Sequence, residues 1–294
     1  MSFIRSNERR ARMQSQIAYN QSTLWKELHY NNPAIEYLID TNLMEYDIEK
    51  ANISVLRYKG IISDKLYRDC LVMPKLQRQI LVGKLQAINK GAYPALKEGI
   101  MEARHCLFDT LQLRSEDVLS INNDAVFVMT DGLSINLPES LQVNEFVKFR
   151  IKGRYRSYYR IGSTNFYYNI SYQGPEYDVL DVKGLGDYAE GKHKNCMLAS
   201  LKEIFRTAIL NGSSEALHKI NDLYSKYVRL ELPIDYYRRL DSSARFDVKF
   251  NGEFSSYQIE EFIFPDRTIL DISYNLNILG RLAGYMTQDI LRVI

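Results

Sequence analysis

The sequence is short of the residues that mark secreted, metal-cluster and membrane proteins. Cysteine occurs three times, as Cys70, Cys106 and Cys196, an odd number at wide spacings with no CxxC pair. That argues against a disulfide framework or a thiolate zinc site, and for a reducing compartment in which buried thiols pack as small hydrophobes. The histidines His29, His105, His193 and His218 form no HxxxH or HExxH pattern, so a histidine-based metal site or triad is not expected. No apolar run approaches the ~18 to 20 residues that span a bilayer. The opening MSFIRSNERRARMQSQ is charged and has no apolar h-region, which argues against a secretory signal, and Glu8 argues against a transit peptide. A cytoplasmic protein without a membrane partner is the expectation. An excess of one charge is also missing, with 38 Lys+Arg against 36 Asp+Glu and a net charge of +2. Any basic surface for nucleic acid must then come from local clustering.

The 294 residues are 46% hydrophobic and 25% charged, enough to bury a core in one large domain or two smaller ones. Tyrosine is the unusual entry: 22 Tyr and 12 Phe stand against a single Trp. Tyr-rich surfaces stack on bases or sugars, whereas most tyrosines are half-buried packing residues.

Period and punctuation divide the chain. Residues 1–40 read as a polar, helix-prone lead-in with a turn at Asn31-Asn32-Pro33. LMEYDIEKANISVL (43–56) begins as a strand. Residues 61–90 read as two helices separated near Met73-Pro74, since proline fits a helix start and disrupts an interior. In 94–113, Leu96, Ile100, Ala103, Leu107 and Leu111 recur at helical spacing. VLSINNDAVFVM (118–129) then places Asn122-Asn123-Asp124 between two β-rich arms, the pattern of a tight hairpin. Residues 133–182 alternate as further antiparallel strands, 194–230 returns to helix, and 269–293 is a last helix. The fold class is therefore α+β, with helices and strands in segregated blocks.

Two aspartates stand in exposed positions beside apolar strand arms: Asp47 at a strand end and Asp124 at a hairpin tip. A carboxylate there is costly unless paired or bound to a cation. If the two elements are neighbours, the carboxylates converge on a site for Mg²⁺, which takes one or two carboxylates plus substrate phosphates. Two lone aspartates are equally compatible with ordinary surface carboxylates. A second feature is the basic-aromatic block KFRIKGRYRSYYRIGSTNFYYNISY (148–172), which has no acidic residue. Strand alternation puts Lys148, Arg150 and Lys152 on one face, suited to tracking phosphates; the alternative is a solvated sheet face whose lysines guard an edge. Tyr236-Tyr237-Arg238-Arg239 is a shorter echo.

The spacing around these residues resembles the B-family DNA polymerases. Asp47, Ser54 and Val55 match the motif DxxSLYPSI. Lys75 and Gly83 match KxxxNxxYG, with Gln79 and Val82 in place of its Asn and Tyr. Asp124 matches the second aspartate of YGDTDS, with Asn122 replacing the first. Lys152-Gly153-Arg154-Tyr155 is similar to the KKxY element and Lys183-Gly184 to a later KG element. The order of all five agrees over about residues 44–187.

The resemblance implies a palm at 40–60 and 95–190, a helical fingers insertion at 61–94, a thumb-like helical region at 191–294 and a helical lead-in at 1–39. It implies Asp47, Asp124 and the Ile48 carbonyl as ligands of Mg²⁺ (or Mn²⁺), and Lys75 with Arg78 on the incoming nucleoside triphosphate. Asn52 takes the place of the Tyr that abuts the sugar, which relaxes exclusion of ribonucleotides. Lys148, Arg150, Lys152, Arg154, Tyr155 and Lys183 would contact a DNA primer–template. Only 46 residues precede Asp47, too few for a proofreading exonuclease; the expectation is a minimal palm of bacteriophage type, acting in the host cytoplasm alone or with other replisome subunits. Asn122 keeps two rivals open. One is a catalytically decayed palm serving as a nucleic-acid-binding or accessory subunit; the other is an unrelated viral interaction protein.

Overall fold

Where apolar residues change from a period of two to 3.6, strands give way to helices, and the chain follows that rhythm closely. The computed structural model describes residues 23–131, 137–184, 196–233, 236, 245–250, 253–258 and 265–294. After a 3₁₀ turn at Leu24–Lys26, strands β1 (His29–Asn31), β2 (Tyr37–Leu38) and β3 (Leu43–Ile48) precede helices α1 (Ala51–Tyr58), α2 (Asp64–Val72), α3 (Lys75–Ile88) and α4 (Ala92–Leu111). Seven strands follow: β4 (Val118–Asn122), β5 (Ala125–Met129), β6 (Ser140–Gln142), β7 (Lys148–Tyr155), β8 (Ser157–Ile161), β9 (Thr164–Asn169) and β10 (Val179–Lys183). Helices α5 (Cys196–Asn211) and α6 (Ser213–Val228), strands β11 (Arg245–Phe250) and β12 (Glu253–Gln258), and helix α7 (Pro265–Val293) come last. The class is α+β with antiparallel pairing. No helix among the described residues is long and apolar enough to cross a membrane.

The chain divides into two units. The first, comprising the described residues up to Ile35 together with Asn42–Arg154, is built on a six-stranded sheet of order β1-β4-β5-β3-β7-β6. Tyr46 and Ile48 of β3, Val126 and Val128 of β5, and Phe149 of β7 form one core with Ile53, Val55 and Leu56 of α1 and the stripe Leu96, Ile100, Ala103, Leu107 and Leu111 of α4. That stripe is the one the helical spacing predicts. Gly99 is what lets α1 and α4 approach: a Cβ there would lie 2.4 Å from Val55 Cγ1. The break between α2 and α3 falls at Met73-Pro74, and Ser63 opens α2 by accepting the Leu66 N–H at 3.3 Å, an ordinary side-chain N-cap.

The second unit, Glu36–Thr41 with Tyr155–Ile294, contains a four-stranded sheet of order β10-β9-β8-β2. Tyr159, Phe166 and Tyr168 pack with Phe205, Leu201 and Ile204 of α5, Ile220 of α6, and Leu279 and Leu282 of α7. The Tyr159 and Phe205 rings stack at 4.4 Å. Gly212, at φ 90°, ends α5 and starts α6, a left-handed junction that favours glycine.

Three expectations change. The lead-in is not helical where it is described: beyond the 3₁₀ turn it holds β1 and β2, because His29–Asn31 completes the edge of β4. The expected palm boundary at 190 gives way to a division between Arg154 and Tyr155, since the tyrosines of β8 and β9 need the apolar face of α5. The region 191–294 is not wholly helical, for β11 pairs with β12 as a hairpin.

Candidate active site

The site begins with strand parity. Successive side chains on β3 alternate, so Tyr46 and Ile48 enter the core while Glu45 and Asp47 take the opposite face. Strand β5 lies beside β3 with Asp47 opposite Ala125. Strands β4 and β5 join through the two-residue turn Asn123-Asp124, with Asn122 opposite Ala125. Asn123 takes the left-handed φ of 52° that so tight a turn requires, and its N–H donates to the Leu28 carbonyl at 2.7 Å. Asp124 is thus carried to the end of β3, where its carboxyl is within hydrogen-bonding reach of Asp47. The convergence expected from sequence is present in the fold.

The pair is electrostatically loaded. Burial, and then the neighbouring Asp47 charge, push the Asp124 carboxyl up from 3.8 to about 6, with Lys152 and a backbone hydrogen bond pulling the other way. Two carboxylates this close resist ionising together. The donor set therefore suits a hard divalent cation, which would relieve the repulsion. Among the described residues no group of three or more His, Cys, Asp or Glu is arranged to hold a metal ion. An ion here would rely on two carboxylates plus water and substrate oxygens, the habit of Mg²⁺.

Lys152 joins this cluster from β7, the strand on the other side of β3. Its Nζ lies 3.0 Å from Glu45 Oε1 and 3.5 Å from Asp47 Oδ2. The Glu45 side chain is wholly buried and that of Asp47 is 19% exposed. The expected role of Lys152 as a nucleic-acid contact changes accordingly: its ammonium lies within the carboxylate site. The rest of the β7 face is also matched to acids. Arg150 lies 3.4 Å from Glu49 and Arg154 pairs with Glu139; Lys148 stands on the same face, half-buried. Lys183 lies 2.7 Å from Asp181. Four of the basic residues of a block free of acids in sequence (Arg150, Lys152, Arg154 and Arg156) are paired with acids from other segments.

The remaining candidates are spread out. Lys75 is exposed on the first turn of α3, and Arg78 donates to the Met73 carbonyl at 2.6 Å. Neither makes a hydrogen bond or ion pair with Asp47 or Asp124. Asn52 is exposed on the first turn of α1, and the Ile48 side chain lies in the core. Tyr155 is buried, its hydroxyl donating to Asp181 at 3.3 Å. Tyr158, Tyr159, Tyr167 and Tyr168 are buried too, which leaves Tyr172 as the exposed tyrosine of the block. Of the two readings of the tyrosines, packing rather than a stacking platform holds for these five. Residues 237–239 of the shorter echo lie outside the described residues.

Two participants were not anticipated. Glu45 is two residues before Asp47, and strand parity was the available signal. Arg104 interrupts the apolar stripe of α4 and is fully buried. Its Nη1 donates to the Glu27 carbonyl, while Nε and Nη2 have no hydrogen-bond partner. Burial pushes its guanidinium down to about 10, against the pull of Glu27 and Asp124. A cation in an otherwise apolar helical face was the clue.

Compared with known proteins, residues 20–286 match the family model described as bacteriophage PBS1 gene 130 protein. A search of curated proteins gives no match.

Proposed function

The chain belongs to the family of the bacteriophage PBS1 gene 130 protein, and from that premise we propose that it is the palm-type core of a template-directed nucleotidyltransferase acting in phage replication. The observation that carries this reading is the meeting of Asp47 and Asp124 at the end of β3, with Asp124 pushed up by burial and then by its neighbour. Carboxylates from a strand end and the neighbouring hairpin turn suit phosphoryl transfer, in which charge at the reacting oxygens must be neutralised.

Asp47 and Asp124, with the Ile48 carbonyl, would hold Mg²⁺ or Mn²⁺. A bound ion there would supply Lewis-acid activation of a primer 3′-hydroxyl and neutralise the triphosphate. The protein's own groups would do the rest. Lys75 and Arg78 would meet the triphosphate from the start of α3, and Asn52 would stand beside the sugar. Arg150 and Arg154 would hold a primer–template by exchanging carboxylate partners for phosphates, with Lys148 on the same face. Partner subunits of a split polymerase are part of this proposal.

Primer extension on a DNA template with Mg²⁺ or Mn²⁺, comparing wild type with Asp47→Ala and Asp124→Ala, tests it. Extension by wild type alone, with both variants folded, is the expected result. A second reading, a palm that binds nucleic acid without catalysis, is favoured by Asn122 and by the Lys152–Asp47 ion pair. No extension by wild type, together with salt-sensitive duplex binding, would favour it.

A further inference from the structure

We propose that Lys152 is a built-in cation of the carboxylate site, held against Asp47 by the buried Glu45 and occupying the charge position of a second divalent ion. This rests on the nucleotidyltransferase reading and specifies how its site is charged.

The argument starts from what Lys152 touches. Its Nζ bridges Glu45 Oε1 at 3.0 Å and Asp47 Oδ2 at 3.5 Å, and the Glu45 side chain is 0% exposed. Alternation on β3 puts those two acids on one face, and β7 brings Lys152 to it. A lysine on a free strand face would be at liberty to follow a phosphate. Lys152 is not: moving away would leave Glu45 buried without this ion pair, which folded proteins strongly resist. The ammonium is therefore a fixture beside Asp47, not a mobile backbone contact.

The charge inventory points the same way. Glu45, Asp47 and Asp124 provide three negative charges where Asn122 contributes none. Two divalent ions beside Lys152 would overfill so small an acidic set; one divalent ion plus the Lys152 ammonium balances it. Lysine offers a compact point charge with three donors, able to steady one phosphate oxygen while the single ion serves the reacting oxygens. Lys152 would then be a catalytic residue of this site.

The test is Mn²⁺ binding followed by electron paramagnetic resonance on the full chain, with no substrate present. The variants are Lys152→Met and Lys152→Gln, the second of which keeps an amide donor for the buried Glu45 and so keeps the experiment interpretable if the first misfolds. Wild type is expected to bind one Mn²⁺ that Asp124→Ala abolishes. Either folded variant is expected to bind it roughly tenfold more tightly, because a unit positive charge a few ångströms from Asp47 has been removed at a partly hydrated site. An affinity within about twofold of wild type overturns the proposal, as do two Mn²⁺ bound to wild type with Lys152 in place. If instead Lys152→Met lowers the salt slope of duplex binding by about one and leaves Mn²⁺ unaffected, the lysine is a backbone contact. Should no form bind Mn²⁺ in an Asp47- and Asp124-dependent way, the nucleotidyltransferase reading itself falls, an outcome distinct from the others.

Discussion

Replacing Asp124 by Asn is expected to stabilise the metal-free protein. Asparagine keeps the shape of the turn but removes a charge facing Asp47. In the folded chain the Asp124 carboxyl is raised from 3.8 to about 6, first by burial and then by Asp47. A group that holds its proton more tightly when folded costs nothing below its unfolded value, since it is protonated in both states. The cost grows as pH rises from about 4 to about 6 and is complete above that. At 1.36 kcal/mol per tenfold in proton affinity, the rise corresponds to about 2 to 3 kcal/mol at neutral pH. Asp124→Asn should recover most of that, a gain of roughly 4 to 10 °C in Tm at pH 7, and the gain should vanish near pH 3.5. Asp47→Asn should recover less, because it also strips Lys152 of a partner at 3.5 Å. Thermal melts from pH 3.5 to 8, with and without 10 mM Mg²⁺, read all of this. Added Mg²⁺ should stabilise wild type and leave Asp124→Asn unmoved. A variant that is no more stable than wild type at pH 7, or a gain independent of pH, would refute the claim that these carboxylates repel.

Three further substitutions probe the packing of each unit and the proposed sugar contact. Gly99→Ala forces a methyl to within 2.4 Å of Val55 Cγ1 and should lose about 1–3 kcal/mol in urea denaturation by pushing α1 from α4, with partial rescue by Val55→Ala; an unchanged midpoint would contradict the close crossing. Asp178 accepts hydrogen bonds from the Ser171 N–H at 2.7 Å, Arg206 Nη1 at 2.6 Å and the Tyr168 hydroxyl, with its own side chain 1% exposed. Asp178→Asn should therefore destabilise the second unit by about 2–4 kcal/mol, and a melt matching wild type would argue against that network. Asn52→Tyr should reduce ribonucleotide incorporation relative to deoxyribonucleotides in a competition assay, and an unchanged ratio would remove Asn52 from the sugar site.

Local periodicity made much of the fold legible. Proline at 74 divides α2 from α3, the stripe from Leu96 to Leu111 names the buried face of α4, and Asn123 marks the hairpin turn. The unit boundary was not legible, because only Arg156 separates β7 from β8 and nothing in that composition announces a change of partner. The tyrosines allowed two readings for a related reason: alternation says which residues share a face, and only packing says which face meets water. Tyr159 and Tyr168 face Phe205, forty residues or so along the chain. Among site residues, Asp47 and Asp124 stood out as carboxylates beside apolar arms. Glu45 and Arg104 acquire meaning through neighbours distant in sequence, Lys152 for one and the Glu27 carbonyl for the other.

The electrostatic arrangement argues against an incidental meeting of surface acids. Glu45 and Asp47 on β3 and Asp124 in the adjoining hairpin turn present three acidic side chains, and the fold answers with one partly exposed ammonium and one buried guanidinium, neither of which discharges Asp124. A site serving packing alone would be relieved by a single amide at 47 or 124, at no loss of shape. Arg104 sharpens the point, because two of its buried donors have no partner, an arrangement that itself costs stability. Residual repulsion at one end of a strand is the condition expected of the proposed cation site. A divalent ion would supply charge of the right sign and size there, and the size of the Asp124→Asn stability gain at neutral pH measures how strongly the folded site resists the Asp124 charge.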